Sequence, residues 1–202
     1  TGAIQPHINV GDVLVTTALF VHANLGADPW DVFHLGVAKQ LGISFGTVII
    51  LTGAAVLLLW IPIRQMPGLG TVSNVIVLGL AADATLAVLP PLESMVARSA
   101  LLVGAIVLNA IATGMYIGAG FGPGPRDGLM TGLHARTGWS LRGIRTAIEL
   151  SVLLIGWLLG GKFGVGTVIY ALSIGPLIQL CLPWFSQPVS RNAVSPPREI
   201  VS

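Results

Sequence analysis

Gly26-Ala-Asp-Pro-Trp-Asp31 decides the fold, because the chain returns to it at Gly122-Pro-Gly-Pro-Arg-Asp127. The match runs on without a gap. Gly26, Pro29, Asp31, Gly36, Gly42 and Ser44 fall on Gly122, Pro125, Asp127, Gly132, Gly138 and Ser140. Further along, Val56, Leu57 and Leu58 fall on Val152, Leu153 and Leu154, and Gly68, Gly70, Thr71, Val72 and Gly79 fall on Gly164, Gly166, Thr167, Val168 and Gly175. A Gly/Leu/Val-rich composition produces some identities by chance. Shared Pro, Asp and Ser at one fixed offset are not among them. The chain is an internal duplication.

Composition sets the solvent. With 53% hydrophobic and only 9% charged residues, the sequence is not that of a water-soluble domain. Repeated apolar runs long enough to cross a hydrocarbon core predict an all-α polytopic membrane protein. A net charge of +2 carries no nucleic-acid signal. The single Cys181, in an apolar run, excludes an intrachain disulfide framework and a Cys-cluster metal site. No cleavable signal sequence is expected, since the spans suffice for membrane targeting.

Taken in order, residues 1–9 form a polar lead-in, and a short, rather polar first span covers about Val10 to Leu25. A short helix follows from Pro29 to Leu41, with Asp28 as N-cap, Pro29 at the first helical position, Asp31 favouring the dipole and Gly42 ending it. It is too short to span, so it lies in the interface or dips in as a half-helix. Spans then run from Ser44 to Ile61 and, after the loop Arg64–Gly70, from Thr71 to Leu89. Residues 90–98 link the halves. The second half repeats the scheme: a span from Ser99 to Phe121, a short helix from Pro125 to Thr137, and spans at Ser140–Leu159 and Val165–Phe185. Residues 186–202 read as a disordered tail. The repeat units are therefore 10–89 and 99–185.

This predicts six transmembrane helices as two three-helix repeats, each with a short broken or interfacial helix. An odd span number makes the second half enter the membrane in the opposite sense, so the repeats are inverted. Arg64, Arg126, Arg136, Arg142, Arg191 and Arg198 would share one face, and Lys39, Arg98 and Lys162 the other. That bias places both termini in the cytoplasm.

Ionisable residues at membrane depth are functional candidates by default. Arg142, Arg145 and Glu149 share one face of the fifth span, where the first half has Gly46, Ile49 and Gly53. Arg145 could hold an anionic group with Glu149 as its resting partner, or the residues form a structural ion pair with an Arg reaching the interface. Asp31 and Asp127 are the symmetry-related acids, either coupling or gating sites or simply helix-start residues. Around them, Gly26, Pro29, Gly122, Pro123, Gly124 and Pro125 break the helices. Glycine here permits tight turns with exposed amides that cradle an anion, though loop conformation explains it equally well. Asp83, mid-way in the third span and matched by Gln179, is a proton carrier or a hydrogen-bonded interior acid. Asn109 is a further binding candidate, read also as an interhelical hydrogen-bonding residue. His34 and His134 make no metal motif, and most tryptophans fall near span ends as interface anchors do. The two Gly-x-Gly-Thr stretches open spans and read as close packing. No nucleophile triad, metal motif or cofactor signature is found, and nothing requires an enzyme.

At these residues the chain resembles the YczE-like bacterial membrane proteins, relatives of the YitT group. The resemblance rests on Leu25-Gly-Ala-Asp-Pro-Trp-Asp-Val, Gly42-Ile-Ser-Phe-Gly-Thr, Gly118 through Met130, Arg145-Thr-Ala-Ile-Glu149 and Gly161 to Thr167. It covers roughly residues 12–185 and departs at Asp28, where a small residue is expected. It implies a bacterial inner-membrane protein, transport-related, and supplies no substrate.

The expectation is a small transporter or exporter of a small polar or anionic organic molecule, its site between the two repeats. The rival is a non-transporting scaffold or accessory subunit of a larger membrane complex, and a channel lacks the polar residues for a pore lining. The partners expected are the lipid bilayer and a small-molecule substrate, with no nucleic acid. So small a chain is also compatible with a homodimer or a membrane-protein partner.

Overall fold

A computed structural model describes residues 11–90, 92–119 and 124–185. Within them the chain forms eight helices: α1 (Gly11–Ala23), α2 (Pro29–Leu41), α3 (Phe45–Ile63), α4 (Leu69–Val88), α5 (Met95–Ala119), α6 (Pro125–Thr137), α7 (Leu141–Leu158) and α8 (Val165–Phe185). No strand occurs among the described residues. The lead-in, the tail, Gly122 and Pro123 lie outside them.

The punctuation works as local chemistry demands. Both short helices begin with Pro at the first position and end at a glycine in the left-handed region, Gly42 (φ 67°) and Gly138 (φ 69°). There the glycine amide donates to the carbonyl of Ala38 or His134 and closes the last turn. Ser44 and Ser140 cap α3 and α7 by accepting from Thr47 N and Gly143 N.

Three described helices are long and apolar enough to cross a membrane: Phe45–Ile63, Gly70–Val88 and Met95–Thr113. Helix α8 has the expected bounds, Val165–Phe185, while α1, α5 and α7 differ from expectation. The first span ends at Ala23, not Leu25, because Asn24 (φ 57°) and Gly26 (φ 113°) reverse the backbone. The 13 described residues of α1 reach about 20 Å, and the residues before Gly11 lie outside those described. Helix α7 is 18 residues long but carries Arg142, Arg145 and Glu149. Helix α5 starts at Met95, ahead of the expected Ser99.

The halves pack reciprocally. Helix α2 lies on α7 and α6 on α3, so each short helix packs against the long helix that follows the other short helix. Likewise α1 packs on α4 and α5 on α8, with α1 against α5 at the centre. Glycines make these approaches possible. A Cβ at Gly36 would meet the carbonyl of Gly156, and one at Gly128 would strike the Trp60 ring. The two crossings are complementary in size: position 156 is Gly where Val32 and Phe33 cross it, and its counterpart, position 60, is Trp where Gly128 crosses it.

Trp60 and Trp30 correct the interface-anchor reading. Both are buried, and Trp60 Nε1 donates to the carbonyl of Pro125 at 3.0 Å. The tryptophans at 139 and 157 are exposed, alongside outward Leu58, Leu80 and Leu172. A surface so rich in large apolar side chains suits contact with lipid.

Candidate functional site

The site is built where the two copies of the opening motif meet. Asp28 Oδ1 accepts from the amide of Asp31 at 2.6 Å and caps α2. One turn on, His34 Nδ1 lies 3.5 Å from Asp31 Oδ1, with both side chains almost fully buried. Among the described residues, Asp31 Oδ2 and His34 Nδ1 have no hydrogen-bond partner. The rings of Trp30, Phe33 and Phe45 surround the imidazole. From α6, Arg126 Nη1 comes within 3.6 Å of Asp28 Oδ2, and its guanidinium carbon sits 4.6 Å from the centroid of Trp30. The departure at Asp28 therefore supplies both a helix cap and an ion pair between halves.

Burial governs the protonation of this cluster. It pushes the Asp31 carboxyl up to about 7, against the pull of Arg126. Asp28 is also raised, by burial and by the neighbouring Asp31 charge, while Arg126 and the Asp31 amide act the other way. His34 is lowered to about 3 by burial and by Arg126, so the imidazole is neutral at physiological pH. At Asp127, desolvation raises the carboxyl and Arg145 and Arg126 oppose it.

A second feature follows from the divergence between halves. On α3, Gly46 packs against the backbone of Gly79, Gly53 against Val75, and Ile49 is buried, so α3 and α4 lie close along their length. The counterparts on α7 are Arg142, Glu149 and Arg145, and α7 makes no such extended contact with α8. Gly175, the counterpart of Gly79, has nothing near its Cβ position. Between the two helices a cavity of about 250 Å³ opens, lined by Thr146, Glu149 and Leu153 of α7, Thr167 and Leu172 of α8, and Pro29 at the start of α2. Arg145 Nε donates to Glu149 Oε1 at 2.8 Å beside it. The charged face of α7 thus borders a cleft where the first half has close helix packing.

The remaining candidates are dispersed. Asp83 accepts from Ser44 Oγ at 2.5 Å and from the amide of Gly46 at 2.7 Å, tying α4 to the start of α3. Asp83 does not line the α7–α8 cleft. Asn109 donates to Thr16 at 3.4 Å and accepts from Thr113 at 3.2 Å, in the α1–α5 contact. Gly26, at positive φ, turns the chain onto the start of α8, where the Gly166 amide donates to Leu25 O at 2.8 Å. The Gly-x-Gly-Thr stretch beginning at Gly164 thus serves close packing, as its position implies: a Cβ at Gly164 would meet that same carbonyl. Gly124 caps α6 without a side chain and Pro125 opens it.

Sequence reasoning read Asp28 as a helix cap, His34 as lacking a metal motif and Arg126 as a loop charge, and did not single out Tyr170. Within the duplicated motif, positions 28 and 30 are Asp and Trp where 124 and 126 are Gly and Arg. That complementary difference was the available signal, and only a folded chain shows that the two copies touch.

The family described as "Family of unknown function (DUF6198)" matches residues 13–183 of the chain. A Haemophilus influenzae protein described as uncharacterized is 38% identical over 87% of this chain and 78% of its own length. The uncharacterized membrane protein YczE of Bacillus subtilis is 32% identical over 79% of this chain and 74% of its own. YyaS of the same organism, also uncharacterized, is 23% identical over 82% and 85%. No solved structure matches the chain.

Proposed function

The chain belongs to the DUF6198 family, and on that footing we propose that it is a multi-pass protein of the bacterial inner membrane that moves a small organic anion, with the α7–α8 cleft as the binding site. Both termini face the cytoplasm in this reading, and the reciprocal packing of the halves supports an inverted repeat. The relative named as a membrane protein and the apolar helices support the location.

One observation carries the reading. Where the repeat leads one to expect tight packing like that of α3 on α4, the second half has a cavity edged by an ion pair. Its walls are mostly apolar, so the ligand has an apolar body. Its acidic group displaces Glu149 and takes two parallel N–H bonds from the Arg145 guanidinium. The empty site neutralises itself through Glu149, which limits the cost of an unpaired arginine beside lipid.

The test is thermal unfolding of purified protein against a panel of amphipathic organic anions, with wild type and Arg145→Ala in parallel. A saturable rise lost in the variant supports the site, and flux in proteoliposomes then tests transport. The scaffold reading draws on the outward apolar residues Leu154, Val168 and Leu172 on either side of the cleft, which suit a partner helix. A stoichiometric partner co-purified from native membranes, with no ligand shift, would favour it.

A further inference from the structure

The buried pair on α2 is used by nothing so far described. Asp31 and His34 are each almost wholly enclosed, stand one helical turn apart, and present a carboxylate oxygen and a ring nitrogen without hydrogen-bond partners among the described residues. Leaving both atoms unpaired in an apolar shell of Trp30, Phe33 and Phe45 is costly. A metal ion is a poor solution. No group of three His, Cys, Asp or Glu side chains among the described residues is placed to hold one, and Arg126 already brings a positive charge to Asp28. One proton is a better one: on the Asp31 carboxyl it removes a buried charge, and its O–H can donate to Nδ1 of the His34 tautomer that carries its hydrogen on Nε2.

We propose that Asp31 and His34 form a proton-binding site, and that its occupancy sets how tightly the two halves of the molecule are tied through Asp28 and Arg126. In the loaded state the O–H of Asp31 donates to Nδ1 of neutral His34. On release the proton passes to water and leaves Asp31 negative beside Asp28, so two carboxylates then draw on Arg126 of the opposite half. The groups facing the pair from its neighbours are Asp28 in the preceding loop, Arg126 from α6 and Tyr170 from α8, whose hydroxyl lies within electrostatic reach of both acids. Tyr170 is also within reach of Arg145, which connects the buried acids to the cleft. Helix α3 presents the Phe45 ring to His34, and α7 presents Gly156 to the backbone of Val32 and Phe33. The link from proton to transport rests on the proposed transport function, but the proton site itself does not.

The experiment is an infrared pH titration of the full chain in lipid nanodiscs, without ligand, over about pH 5 to 9. A protonated-carboxyl carbonyl band should be present at low pH and disappear with a midpoint near neutrality. It should be absent in Asp31→Asn, and its midpoint should move upward in Arg126→Gln, because the guanidinium favours the charged form. His34→Gln should displace the band frequency, since the O–H loses its acceptor. A wild-type band that does not titrate in this range overturns the proposal, and so does one that survives Asp31→Asn. Should Asp31→Asn fail to fold, an unmoved midpoint in Arg126→Gln and an unmoved frequency in His34→Gln overturn it instead. Loss of anion binding at Arg145 leaves this titration intact, so the two readings fail separately.

Discussion

Arg126 lies over the ring of Trp30, and the two residues are counterparts in the duplicated sequence. The two copies of the duplicated motif are therefore in direct contact. The contact also explains the divergence there. Two tryptophans or two arginines would meet like with like, whereas a cation on an aromatic face is attractive by about 0.5–2 kcal/mol. Arg126 then reaches Asp28, whose counterpart is the bare Gly124.

Asp28→Ala removes the α2 cap and the partner of Arg126 together. We expect a loss of about 1–2 kcal/mol, of which the cap supplies most. Arg126→Ala should cost less, because the guanidinium is partly exposed. Thermal unfolding of both single variants and the double variant measures the coupling.

The Asp31 contribution to stability should fall as pH rises toward neutrality, while His34, held neutral by burial, contributes the opposite slope below pH 6.5. The Asp31 carboxyl is raised from 3.8 to about 7 in the folded chain, so the folded state holds a proton that the unfolded state has lost. That contribution is full below pH 3.8 and is lost progressively up to about pH 7. Asp31→Asn stays neutral in both states. Its stability relative to wild type should therefore rise across that window and level off above it, as unfolding at a series of pH values would show.

Gly128→Ala puts a methyl group into the Trp60 ring, and overpacking of this kind costs about 1–3 kcal/mol. Trp60→Phe alone loses the bond to Pro125 O, at about 1 kcal/mol. Together the two should cost less than their sum, because the smaller ring makes room for the methyl. Strict additivity in a double-mutant cycle would contradict this packing.

Converting α7 to its counterpart, by Arg142→Gly, Arg145→Ile and Glu149→Gly, should let α8 close onto it as α4 closes onto α3. Cysteines introduced at Leu150 and Leu172, with Cys181 replaced, should cross-link faster in that variant than in the otherwise native chain. Anion binding should disappear. Unchanged cross-linking would show that the charges do not hold the cleft open.

Asp83→Ala deprives Ser44 and the Gly46 amide of their acceptor, and we expect a loss of about 1–3 kcal/mol. Proton-dependent flux per folded molecule should be unchanged, because Asp83 works at the α3–α4 contact. Loss of coupling without loss of stability would return it to the proton pathway.

The sequence by itself determined the elements and their pairing as a repeat. Pro29, Pro125, Gly42, Gly138, Ser44 and Ser140 begin and end helices through bonds within a few residues of themselves, so their positions were readable directly. The divergence of Gly46, Ile49 and Gly53 into Arg142, Arg145 and Glu149 was readable too, as charge in place of close packing. Only the tertiary structure placed a cleft beside that charge, since a cleft depends on the distance between α7 and α8. It alone brought Arg126 to Trp30 and Asp28, and it alone enclosed His34 with Asp31. Burial and long-range contact fix protonation and partnership, and neither is a property of spacing along a chain.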